Sequence, residues 1–427
     1  MKTYIWLVVL VIVGCSPARR ISRDLQTNAA YTDHFTGVAL YDPVRQKTVI
    51  AHNADKPFTP ASNTKLFSFY AGLLTLHDSL PTLRYVVRKG VNQADSLIFW
   101  GTGNPLALHP DLPDTTLIAF LRRRPEQLFF SPANYNGPRF GAGWAWDDYN
   151  DDYSAELAPL PLFGNVVRFI TSAASAVSTV SPHRFADSLR VAGSGNNVRR
   201  NEFSNQFTQP ATSRAARQDV PFRWSPKLAA QLLADTLHRS VSLVQMTVPP
   251  DAHLLRGFPT DSLYKRMLHV SDNQFAEQML FMASAERNAA MLAPSVELRR
   301  VADSLHYPTG SARWEDGSGL SRYNLFTPTV LIELLKKIKA LVPQERLFTL
   351  LPAAGQSGTL RSIKSGATPY VFAKSGSMTG VYNLSGYVLT RRGKLLYFSI
   401  MHNNFTQPVS EMRRRTGDLL KTIHERF

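Results

Sequence analysis

Ser62 stands three residues before Lys65 in the stretch Pro60-Ala61-Ser62-Asn63-Thr64-Lys65. A serine hydroxyl is a weak nucleophile at neutral pH and needs a base within hydrogen-bond reach, a task that a neutral lysine amine can perform. Helical i, i+3 spacing supplies that reach. Alone the pair says little, because any helix can hold a serine and a solvated lysine three apart. Two downstream segments supply what it lacks. Ser271-Asp272-Asn273 opens a run in which Phe275, Ala276, Met279, Leu280 and Ala283 share a helical face. Ser271 with Gln274 resembles a capping box; the chemical reading puts Ser271 in a proton relay to Lys65 and lets Asn273 orient a substrate carbonyl or the lysine. Lys374-Ser375-Gly376-Ser377 ends a strand-like run. There a cation beside two hydroxyls can bind a carboxylate, and the glycine lets a substrate backbone lie close to the strand edge. Each segment also has an ordinary reading, as a helix cap or a strand end. In this order and context the three together read as a serine hydrolase.

These groups need elements to hold them. Gly37 to Tyr41 and Thr48 to Ala51 are β-prone runs around Asp42-Pro43 and predict a hairpin. A helix follows, with Pro60 near its start and Leu66, Phe69 or Tyr70, Leu73 and Leu74 on its buried face. Near the other end, Tyr370 to Ala373, Leu384 to Thr390 and Leu395 to Met401 are strand-like, and Met412, Thr416, Leu419, Leu420, Ile423 and Phe427 line one face of a last helix. Strands and helices at both ends predict an α+β fold, one antiparallel sheet closed by the two termini. The middle, residues 85–245, is rich in proline and short strand signals and reads as an inserted β-rich domain. The catalytic part then comprises residues 35–84 and 246–427.

The first fifteen residues combine Lys2, an apolar run from Tyr4 to Val13, and Gly14-Cys15. The run is shorter than the roughly 20 residues needed to span a bilayer and has a signal peptide's layout. Ile12-Val13-Gly14-Cys15 resembles a bacterial lipobox, so Cys15 is the expected lipidation site and the membrane a partner through it. It is the single cysteine of the chain, which excludes an internal disulfide. Residues 16–34 are polar and basic and read as a tether. A chain of 427 residues, 44% hydrophobic and 19% charged, fits two or three globular domains. The net charge of +16 favours anionic partners. The basic residues, among them Arg122 to Arg124, Arg199-Arg200, Arg391-Arg392 and Arg413 to Arg415, are scattered and match no nucleic-acid module, so no nucleic acid is expected.

With these motifs the chain resembles the serine D-Ala-D-Ala carboxypeptidases, low-molecular-mass penicillin-binding proteins of class C (peptidase family S13) that carry domains inserted between the first two motifs. Phe58 to Leu66, Gly101-Thr102-Gly103-Asn104-Pro105, Trp144 to Asp148 with Tyr153 and Asn165, Asp316 to Ser321, Leu351 to Gly355 and Gly358-Thr359-Leu360 carry the likeness. The resemblance implies a penicillin-binding-protein/β-lactamase-like transpeptidase domain. It implies Ser62 as acylated nucleophile, Lys65 as general base, Ser271 and Asn273 as the central motif, and Lys374, Ser375, Gly376 and Ser377 as the carboxylate-binding strand. The N–H groups of Ser62 and Ser377 would form the oxyanion hole. The implied reaction removes a terminal D-alanine from peptidoglycan stems, with endopeptidase cleavage of cross-links as a second specificity, β-lactams as covalent inhibitors and no metal or organic cofactor. Two departures stand out: Ser375 replaces the usual threonine, and Asn104 replaces an aspartate.

Rival chemistries lack their residues. A class A β-lactamase needs a glutamate in an E-x-x-x-N segment between the first two motifs, and Glu126, Glu156 and Glu202 each lack the asparagine. Neither G-x-S-x-G nor H-E-x-x-H occurs. The acidic group Asp147, Asp148, Asp151 and Asp152 lacks EF-hand spacing and reads as a polar loop. A catalytically silent cell-wall-binding lipoprotein remains the non-enzymatic alternative.

Overall fold

The computed structural model describes residues 16–90, 94–172, 178–211, 216–288 and 290–427. The signal segment and Cys15 lie outside them. Strands β1 (Phe35–Asp42) and β2 (Lys47–His52) form the predicted hairpin, and β3 (Val371–Met378), β4 (Val381–Leu389) and β5 (Leu395–Asn403) the downstream set. They make one antiparallel sheet in the order β3-β4-β5-β1-β2. The pairing of β1 with β5, Val38 opposite Ile400, joins the two ends of the chain. Both faces are covered, so β1, β4 and β5 are buried along almost their whole length instead of alternating.

One face packs against the helix Pro328–Leu341, and α2 (Lys65–Thr75), α3 (Thr260–Val270) and α4 (Asn273–Arg287) join it in a shared core with Phe67, Phe69, Tyr264 and Met279. The other carries α1 (Pro17–Thr27) and α5 (Val409–Arg426). In α5 the buried residues are Met412, Thr416, Leu419, Leu420 and Ile423, the predicted face.

Residues 16–34 are not a tether. Ser16 caps α1, accepting the Arg19 N–H at 3.4 Å, and Pro17 starts the helix. Ile21 and Leu25, four apart, are buried with Val38, Leu40, Leu396 and Leu420. The polar composition hid this helix, because two apolar positions suffice to dock a short helix on a sheet already covered by α5. Leu25→Ala should therefore lower the unfolding free energy by about 3 kcal/mol. Urea denaturation of the two proteins tests this, and a shift under about 0.5 kcal/mol, the size of a surface effect, would restore the tether.

The inserted region begins and ends outside 85–245. Strands Ser79–Arg88 and His253–Pro259 pair antiparallel, and Thr260 N–H donates to the Asp78 carbonyl at 2.9 Å where the chain crosses over. His253–Pro259 is one edge of a five-stranded mixed sheet that continues through Ser79–Arg88, Ser96–Gly101 and Gln127–Phe130 to Val241–Leu243. Helices Thr116–Arg122 and Pro226–Leu237 and two three-stranded sheets complete the region around its own core, which includes Phe99, Phe130, Phe169 and Phe222. Asn104 is buried there, donating to the Pro81 carbonyl at 3.1 Å and accepting the Leu106 N–H at 2.9 Å. An ionised aspartate accepts only, so the amide serves a structural pair of bonds. Among the described residues, no helix is long and apolar enough to cross a membrane.

Candidate active site

Ser62 lies in a 3-10 turn, Ala61–Thr64, that runs directly into α2. Ala61 holds φ at +46°, a left-handed conformation costing a residue with a Cβ about 1–3 kcal/mol. The turn is braced from the sheet. Asn403 accepts the Thr59 N–H at 2.8 Å, Asn383 donates to the Thr59 carbonyl at 2.9 Å, and Asn63 donates to Ser385 Oγ at 2.8 Å. Gly376 completes the fit, for a Cβ there would sit 2.4 Å from the Pro60 carbonyl oxygen and 2.9 Å from the backbone nitrogens of Ser62 and Asn63. The glycine of the third motif thus makes room for the nucleophile's own backbone.

Lys65 is wholly buried and its Nζ has three neighbours: Ser62 Oγ at 3.0 Å, Asn273 Oδ1 at 2.6 Å and the Ser318 carbonyl at 2.7 Å. The amide oxygen and the carbonyl can only accept. A neutral amine, with two N–H donors and one lone pair, therefore spends both donors on Asn273 and Ser318 and turns its lone pair to the Ser62 hydroxyl. Burial pushes the Lys65 pKa down to about 8, opposed by the charges of Asp316, Glu277 and Asp272.

Ser318 contributes to the site through its carbonyl, a backbone group that no residue-type pattern marks. It belongs to Asp316-Gly317-Ser318-Gly319, a loop pinned by two buried carboxylates. Glu277 accepts the N–H groups of Gly317 at 3.0 Å and Ser318 at 2.7 Å; Asp316 accepts those of Gly319 at 2.8 Å and Ser321 at 2.7 Å. Burial, and then the charge of Asp316, raises the Glu277 pKa. Gly319 has φ +83°, and a Cβ on it would lie 1.9 Å from the Ala61 carbonyl oxygen. No local pattern flags Glu277, because its partners lie 40 residues away in the chain.

The central motif differs from its sequence reading in two respects. Ser271 is the left-handed residue between α3 and α4, φ +64°, and the helix cap is Asp272, which accepts the Phe275 N–H at 3.1 Å. The direct partner of Ser271 is Lys374, whose Nζ donates to its Oγ at 2.9 Å, while Asn273 takes Lys65. Two residues of one turn thus each hold one of the two buried lysines. Lys374, a fully buried residue of β3, also donates to the Ser375 carbonyl at 2.6 Å. Burial and the proximity of Lys65 hold its pKa well below the usual lysine range. Among the described residues no carboxylate pairs with either lysine, so an incoming anion would relieve an uncompensated site. Ser375 Oγ donates to Thr359 Oγ1 at 2.6 Å, a partner not assigned from sequence.

Ser62 and Ser377 line one cleft of about 530 Å³ together with Asn273, Gly319, Leu320, Arg322, Met378 and Thr379. The inserted region supplies the opposite wall through Gly143, Ala145, Asp148 and Tyr153. The single Tyr153 O–H proton is shared between Asp148 at 3.0 Å and Asp151 at 3.2 Å, and the Tyr153 carbonyl accepts Asn273 Nδ2 at 3.0 Å. The acidic loop read as merely polar is therefore part of the cleft.

A hydroxyl aimed at a buried amine, beside a second lysine without a counterion, on an antiparallel sheet between helices, defines an active-site serine hydrolase of the penicillin-binding-protein class. The fold matches that of penicillin-binding protein 4 from Haemophilus influenzae with a TM-score of 0.74, at 21% identity over 91% of this chain and 96% of that one. The same protein complexed with a β-lactam matches with a TM-score of 0.70, at 19% identity over 95% and 99%. The sequence is 25% identical to the D-alanyl-D-alanine carboxypeptidase DacB of Haemophilus influenzae, over 88% of this chain and 87% of the relative. Residues 19–423 match the D-Ala-D-Ala carboxypeptidase 3 (S13) family, and the chain belongs to that family.

Proposed function

We propose that the protein is a serine-type D-alanyl-D-alanine carboxypeptidase acting on peptidoglycan stem peptides through a Ser62 acyl-enzyme. The position of Lys65 carries the reading: with both N–H donors committed to acceptors, its lone pair is left for the Ser62 proton. Ser62 Oγ attacks the carbonyl of the penultimate residue as its proton passes to Lys65. The oxyanion is met by the N–H groups of Ser62 and Ser377, two residues that share the cleft. The C–N bond breaks as the proton held by Lys65 passes to the leaving amine, releasing D-alanine; water then attacks the ester, giving a proton to Lys65 that returns to Ser62 Oγ as the acyl C–O bond breaks. Lys374, Ser375 and Ser377 bind the terminal carboxylate, whose charge offsets the uncompensated lysine. Asn273 orients the substrate carbonyl and Lys65 together.

Digestion of purified muropeptides tests this. Release of D-alanine from monomeric pentapeptide is expected. Cleavage of cross-linked dimers would add the endopeptidase activity, and acylation by a fluorescent penicillin without turnover of either would establish a binding module instead. Gly376→Ala should slow penicillin acylation at least about a hundredfold, since overpacking against fixed backbone costs roughly 3 kcal/mol. Stopped-flow labelling measures it, and a rate within threefold of the parent would mean that the turn and strand are not tightly fitted.

The reading extends to location. An apolar run from Tyr4 to Val13 followed by the chain's single cysteine favours export to the bacterial envelope and a lipid anchor on Cys15.

A further inference from the structure

We infer that the face formed by α1 and the last turns of α5 is a docking surface for anionic lipid headgroups. Its placement rests on the reading of Cys15 as the lipid anchor. Its charge is a property of the folded chain.

A free tether over residues 16–34 would let the body stand roughly 60 Å from the membrane in any orientation. The structure removes that slack. Ser16 already caps α1, and Ile21 and Leu25 fasten the helix to the sheet, so one residue separates Cys15 from the packed body. An anchor at that distance brings the outer face of α1 to the bilayer surface.

That face is basic. Arg19, Arg20 and Arg23 are exposed on α1, Lys421 and Arg426 on α5, and Arg392 in the turn between β4 and β5. Among the described residues Arg19, Arg20, Arg23, Lys421 and Arg426 form no ion pair, and Arg392 Nη1 donates to the Phe427 oxygen at 3.4 Å, whereas Arg414 higher on α5 bonds Glu411 at 2.6 Å and Asp418 at 3.0 Å. Between α1 and α5 runs a groove of about 430 Å³ lined by Arg20, Arg23 and Arg426, with Asp24 its one carboxylate. Planar guanidinium groups match phosphate oxygens in pairs. The surface acts within a Debye length, about 8 Å at physiological salt, which the missing tether guarantees. The cleft of Ser62 lies on the helical side of the sheet away from α1 and α5, so docking leaves it open to the cell wall.

The chain from Ser16 onward contains every described element and needs no lipid for the test. It is sedimented with vesicles of phosphatidylcholine alone or with about a third phosphatidylglycerol. Binding to the anionic vesicles only, falling at least about tenfold in 0.5 M NaCl, is expected. Arg19→Glu, Arg20→Glu and Arg23→Glu together should weaken it at least about tenfold. The same charge change at Arg122, Arg123 and Arg199 of the inserted region should leave it within about twofold. Unchanged thermal midpoints exclude unfolding. Equal binding to both vesicles, no binding to either, or equal loss in the two triple variants would overturn the inference. The mass of the mature N-terminal peptide decides Cys15 separately: an unmodified N-terminus ends the anchor reading while the vesicle result stands.

Discussion

Ser62→Ala is expected to abolish both penicillin labelling and D-alanine release, a loss on the order of 10⁴-fold or more in turnover. The size follows from the geometry. Ser62 Oγ is the single hydroxyl within bonding distance of Lys65 Nζ among the described residues, and no neighbouring side chain can replace it as nucleophile. Fold loss is not the cause to be feared, because Ser62 is half-buried in a turn held by Asn63, Asn383 and Asn403, none of which uses the Ser62 side chain. Mass spectrometry of the penicillin-treated variant checks the result. An adduct at wild-type rate would move the nucleophile elsewhere.

The second large effect is at Lys65. Lys65→Met should lower acylation by about 10²–10⁴-fold, the usual worth of a positioned general base. The pH profile separates this role from simple positioning. With the pKa of Lys65 lowered to about 8, the neutral amine dominates above that pH, and the ammonium below it. The acylation rate of the parent should thus rise about tenfold per pH unit up to about 8 and then level off. At pH 7 roughly a tenth of the protein carries the competent base. The variant should lose this limb altogether, while Lys374→Met, which removes the carboxylate partner, should weaken substrate capture and keep the limb near 8. A parent profile flat between pH 6 and 9 would show that Lys65 is not the base.

Much of this site was legible from spacing. Ser62 and Lys65 three apart, the serine-asparagine pair at 271 and 273, and the lysine-serine-glycine strand at 374–376 are local patterns, and local patterns survive as sequence. The sheet closing the two ends was legible for the same reason, since β1 and β5 each carry their own strand signal. What spacing did not show were partners distant in the chain: that Ser271 bonds Lys374, that Gly376 lies against the Pro60 carbonyl, and that residues 16–34 pack on the sheet and do not form a tether. The limits of the inserted region shifted because Ser79–Arg88 and His253–Pro259 pair only with each other and with the inserted sheet.

The sequence by itself determined which residues do chemistry here and in what order along the chain, because nucleophile, base and carboxylate-binding groups must be particular residue types at particular spacings. Only the tertiary structure decided what state those groups are in. The depressed pKa values of Lys65 and Lys374 arise from burial, and the direction of the Lys65 lone pair arises from Asn273 and Ser318, which reach it from 208 and 253 residues away. Desolvation and hydrogen-bond competition act through space, and no short window of sequence carries them.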